Sequence, residues 1–352
     1  EFTAENVIQL FERAGDVGHD DFEADEIVRA SCNAHPGSVI KVISDIANRI
    51  ESKPEMLAAK FMLLSIPWES LDSDKLAQLL PVFNITATYH ESYAATIHAL
   101  EYLVRKIDNA HVAECVQLTL SSVAPERILA CVSHEGISNS VKEDWFSRAL
   151  NSSLGQAVNA QIYLLARCDE LELNDGSTSL LDSIEQLIEA SCNDEVSSNI
   201  IFAALFSQLN FWVTNHMPFY KSHMESALVN NDVPGHIGSV WGLSNLNIAN
   251  RQTWRSLSEV WLKFSVAPCE ELSKPYERIR KYCLFSSIRF DEKESRSKLL
   301  SHFGRTPALV SEAVSAIVHY LNSLDPTDIV EARNEWAKDD LFNLIDTEPN
   351  FE

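Results

Sequence analysis

The chain has 352 residues, 45% of them hydrophobic, and a formal charge of 28 − 51 = −23. That length exceeds one ordinary compact core, and the apolar fraction excludes global disorder. The negative charge argues against a general nucleic-acid binder and against binding to anionic membrane, since both need a basic face.

Gly (10) and Pro (12) are scarce. Sheet-containing folds spend these residues on turns and bulges, so their scarcity points to helices joined by short connections. Apolar residues then recur at helical spacing from end to end. The predicted helices are 4–14, 23–33, 38–51, 55–66, 72–81, 87–107, 111–122, 126–134, 139–152, 156–169, 178–191, 195–215, 218–229, 236–248, 252–265, 270–287, 292–303, 308–322 and 327–345. The run Leu180, Leu181, Ile184, Leu187, Ile188 illustrates the pattern, with Asp182, Glu185 and Glu189 on the opposite face. Pro54, Pro125, Pro307 and Pro326 each sit where a first-turn proline costs nothing. Thr3, Ser52, Asp72 and Thr306 fit the N-cap position, where a side-chain oxygen accepts from a backbone N–H.

Nineteen helices in 352 residues give one per 18 to 19 residues, or about 37 per pair. This pitch resembles that of the helical-hairpin repeats, the HEAT and tetratricopeptide class. Neither a repeated tetratricopeptide signature nor the ankyrin Thr-Pro-Leu-His is present. The expected fold is therefore all-α, an extended α-solenoid, with an irregular multi-helix bundle as the alternative. Residues 1–352 are expected to form one continuous array, bent near 172–177, one of four Gly-bearing loops.

Seven widely spaced cysteines, most among apolar residues, read as reduced thiols of a cytoplasmic, reducing compartment. The most apolar stretch, Ile200 to Val213, is broken by Ser207, Gln208 and Asn210 and is too short for a membrane span. The chain opens on Glu1-Phe2 rather than Met, which allows it to be a fragment of a larger protein.

No motif identifies a catalytic site. His111 and Cys115, with Cys131 and His134, offer two thiols and two imidazoles at one-turn spacing, a weak candidate for zinc beside the commoner reading of buried core thiols. His90 and His98 lie eight residues apart rather than four, so they do not form a metalloprotease pair and read as helix-surface histidines. The acidic run Asp16–Glu26 fails the EF-hand pattern at Gly18, Asp21 and Ile27. Gly235, Gly238 and Gly242 form no phosphate loop. No cofactor is expected.

Charge placement carries more information. Residues 1–26 hold nine acids and one base, and 325–352 nine acids and two bases. Residues 273–305 reverse this with nine bases against four acids, interleaved with Tyr276, Tyr282, Phe285 and Phe290. Such a segment can pair its charges locally, dock an acidic partner, or contact a phosphate backbone. The expected partner-binding residues are Trp254, Trp261, Lys274, Arg278, Arg280, Lys281 and Arg289, since aromatic and arginine side chains dominate binding hot spots.

These observations favour a non-enzymatic scaffold or recognition module that binds a protein partner through its concave or C-terminal face. The alternatives are the sensor or regulatory part of a larger NTPase or nuclease-type enzyme, and a helical metal-dependent hydrolase.

Overall fold

A computed structural model describes residues 2–17, 22–134, 140, 143–246 and 272–290, with isolated positions near 254, 258, 294–301 and 310–314. Every regular element among the described residues is helical, and no strand occurs among them. The chain divides into two compact units, Glu1–Ser138 with Ser147–Ala204, and Asn139–Phe146 with Leu205–Glu352.

The first unit opens with α1 (Ala4–Val17), α2 (Phe22–Ala34), α3 (Pro36–Ala47) and α4 (Lys53–Ser65). The expected caps start these helices. Asn6 N–H donates to Thr3 Oγ1 at 3.3 Å. At α4, Ser52 N–H donates to Glu55 Oε2 at 3.0 Å, the capping-box reciprocity that satisfies an end amide. Pro36 and Pro54 occupy first-turn positions where no amide is lost.

There follow α5 (Ser73–Ala77), capped by Asp72 through Lys75 N–H, and α6 (Leu80–Thr86). The single helix expected over 72–81 is thus two, because Pro81 begins a new helix rather than ending the old one. Next come α7 (His90–Lys106), α8 (Val112–Ser122), α9 (Pro125–His134), α10 (Trp145–Asn151), α11 (Ser153–Glu170) and α12 (Asn174–Ser191).

The core of this unit runs along α7 and α11. α7 packs on α4 and α11, and α11 also meets α8, α9 and α12. Tyr93, Ile97, Leu100 and Val104 recur at helical spacing on the buried face of α7 and are all solvent-inaccessible. α11 is buried nearly all round over Ser153–Gln161. Gly155 makes that possible: an added Cβ would lie 2.6 Å from the Ala149 Cα, so α10 and α11 approach with no room for a side chain. Burying polar side chains here requires partners. The Tyr93 hydroxyl donates to the Ser122 carbonyl at 2.8 Å, with the Arg127 guanidinium 4.2 Å over its ring. Trp68 Nε1 donates to the Leu63 carbonyl at 3.1 Å. Arg167 ties the end of α11 to the α7–α8 link through the Ile107 carbonyl and through Asn109 Oδ1 at 2.7 Å.

The chain continues through α13 (Glu195–Ser207) and α14 (Leu209–Asn215), so the expected helix over 195–215 is broken at Gln208. Among the described residues no single helix is long and apolar enough to cross a membrane. The second unit adds α15 (Met217–Phe219), a π-helical turn (Tyr220–Met224), α16 (Glu225–Val229), α17 (His236–Leu243) and α18 (Ser273–Arg289). Gly235 starts α17 at φ 85°, a conformation that favours glycine. The helices expected over 252–265, 292–303, 308–322 and 327–345 lie largely or wholly outside the described residues.

Candidate functional site

α18 carries most of the residues expected to meet a partner, and its sequence divides cleanly around the helix. Leu272, Tyr276, Ile279, Cys283 and Leu284 are buried, and they recur every three or four residues. Lys274, Arg278, Lys281, Tyr282, Phe285 and Arg289 fall on the other side, at offsets of four, seven, eight, eleven and fifteen from Lys274. At the α-helical rotation per residue these six share an arc of roughly 100°.

Lys274, Tyr282 and Arg289 are exposed, and Arg278, Lys281 and Phe285 are half-buried. Tyr282 is 37% accessible although Tyr276 and Leu284 on the other side are 5% and 0%. Lys281 Nζ pairs with Glu277 at 2.6 Å, the only carboxylate within α18. Arg278 Nη1 donates to Asn245 Oδ1 at 3.2 Å, which steadies one end of its planar fork. The Arg289 guanidinium lies 5.5 Å from the Phe290 ring. Lys274 has no ion-pair partner among the described residues. Arg280 is half-buried and lies on the opposite side of the helix, between Tyr276 and Leu284.

Trp254 is 1% exposed and so sits in the core, where its ring cannot serve as a surface anchor. Trp261 lies outside the described residues. Sequence spacing alone therefore singled out the bases, whereas the exposed aromatic is Tyr282. The helical register relative to Ile279 and Cys283 was the available signal for it.

The zinc candidates His111, Cys115, Cys131 and His134 are not drawn into one site among the described residues. The His111 ring faces Glu114 at 3.5 Å and Asp108 at 4.0 Å. Cys115 is solvent-inaccessible, and burial pushes its thiol up to about 12. Cys131 is also buried, and the His134 side chain is outside the described set. No group of three or more His, Cys, Asp or Glu among the described residues could hold a metal ion.

His98 differs from the expected surface histidine. It is partly buried, its Nδ1 lies 2.7 Å from Gln156 Nε2, and burial holds it below the usual imidazole range against the opposing hydrogen bond.

Two further features were not singled out from the sequence. A cleft of about 450 Å³ in the first unit is lined by Gln117, Cys168, Glu172, Asn174, Asp175 and Gly176, among others. In the second unit the rings of Phe211, Trp212, His216, Phe219 and His223 form a ladder, with Trp212 stacked on Phe219 at 5.0 Å and Phe219 to His223 at 4.7 Å. The ladder runs from α14 through α15 into the π-helical turn.

No family model, characterised protein or solved structure matches this chain.

Proposed function

We propose that this chain is a non-enzymatic helical scaffold that recognises a protein partner through the outward face of α18. Within each unit its helices are taken to stack in the hairpin manner of an α-solenoid, as supported by the packing of α2 on α3, α3 on α4, α11 on α12 and α16 on α17.

The observation that carries the reading is the stripe on α18. A chain of net charge −23 presents, on one helix face, four bases and two aromatic rings. Glu277 is the one carboxylate of the helix, and it is paired with Lys281. Aromatic and arginine side chains on a regular, rigid element suit a hot spot, where large contact area is fixed at low entropic cost.

The test is crosslinking capture of partners by the intact chain and by a variant reversing Lys274, Arg278, Lys281 and Arg289 to Glu. Loss of specific partners is expected. Unchanged recovery removes α18 as the docking face.

A further inference from the structure

The α18 stripe has a pattern as well as a sign, and the pattern restricts what it can hold. Lys274 and Arg278 are one helical turn apart, Arg289 lies at the far end, and Tyr282 and Phe285 come between. Fifteen residues of helix span about 22 Å, the length of four turns of a facing helix.

The rest of the chain narrows the choice further. α18 carries five bases and one acid, net +4, so the remainder carries −23 − 4 = −27. A long polyanion such as nucleic acid would gain contacts at α18 and meet repulsion over the remaining surface. A short acidic segment reads the stripe alone. The Arg278 guanidinium is held by Asn245 through one of its five donors, and the other four are left for a carboxylate, which it can engage bidentately. Lys274, with no carboxylate of its own among the described residues, is a second point charge. Tyr282 exposes a ring beside half-buried Phe285, a small apolar seat flanked by cations.

Resting on the partner-binding reading above, we infer that α18 receives an acidic amphipathic segment of the partner protein. Its carboxylates sit over Lys274, Arg278 and Arg289, and one apolar side chain sits between Tyr282 and Phe285.

The experiment is fluorescence anisotropy on the full chain with a dye-labelled peptide of about 16 residues, long enough to cover the stripe. Its glutamates recur every fourth position around a central Leu-Phe pair. Saturable binding is expected, weakening as salt rises from about 50 to about 300 mM. Lys274→Glu with Arg278→Glu and Arg289→Glu should weaken it at least about tenfold. Tyr282→Ala should weaken it about fivefold. The corresponding triple Gln variant should weaken it in the same direction, which covers the case in which charge reversal alters the fold.

The inference is overturned if the intact chain does not bind the peptide, or if the Gln variant binds it as well as the unaltered chain. It is equally overturned if a single-stranded oligonucleotide of matching charge competes more strongly than the unlabelled peptide. If the peptide fails while crosslinked partners are still lost on charge reversal, the acidic-segment inference falls and the broader reading stands.

Discussion

Glu101 is the residue whose environment is most at odds with its charge. It sits on α7 with only 8% of its side chain accessible and an ion pair to Arg105, itself 40% exposed. Burial is the largest influence and pushes the carboxyl above its usual range, against the attraction of Arg105. A raised folded-state value means the fold prefers the neutral acid. That preference carries no penalty below about pH 4, where the unfolded chain is also protonated. The penalty builds as pH rises above that point. Glu101→Gln keeps the shape without the charge, so its melting temperature is expected to exceed that of the unaltered chain at pH 7, with the gap closing toward pH 4. A gap independent of pH between those limits would refute this account. His98 and His236, both held low by burial, act in the opposite sense: their contribution is full above about pH 6.5 and lost as pH falls through the folded values. Both proteins share that loss, so the difference between them isolates Glu101. None of these burial effects was legible in sequence, where Glu101 and His98 look like ordinary polar positions on an amphipathic helix.

At the scale of elements, the turn between α11 and α12 is the most informative. Leu173 N–H donates to the Cys168 carbonyl at 2.8 Å and Glu172 N–H to the Asp169 carbonyl at 3.2 Å, the paired bonds of a Schellman close. That motif needs a left-handed residue, and Glu172 fills it at φ 57°, the only non-glycine residue with positive φ among those described. An L side chain there costs roughly 1 kcal/mol relative to glycine. Glu172→Gly is therefore expected to stabilise the chain by about 0.5–1 kcal/mol in urea unfolding; no gain would mean the Glu172 side chain contributes contacts of its own. Gly176, four residues on, is close-packed instead: a Cβ there would come 3.1 Å from Cys168 Sγ, which would have to shift by a few tenths of an ångström. Helix starts at Thr3, Ser52 and Asp72 were legible because a cap is a local bond between neighbours in sequence. The Pro81 and Gln208 boundaries and the π-helical turn were not, because periodicity passes through them unbroken.

Over the whole molecule, the −23 charge sets a background of self-repulsion. Raising salt from about 20 to about 300 mM shortens its reach well below molecular dimensions, so thermal stability is expected to rise by a few degrees. A flat or falling melting temperature would show that attractive pairs such as Arg49–Glu5 and Lys281–Glu277 outweigh the repulsion. Spacing and composition were enough to read that the described residues are helical, where several helices begin, and that positive charge is concentrated near residues 273–305. These properties arise from spacing, capping and composition, which act between near neighbours. Only tertiary structure decided which side of each helix faces solvent. It buried Trp254 and Cys115, exposed Tyr282, and divided the chain at Ala204 and Leu205. Those outcomes depend on which distant apolar faces meet, and two helices with equal periodicity can satisfy that condition in different ways.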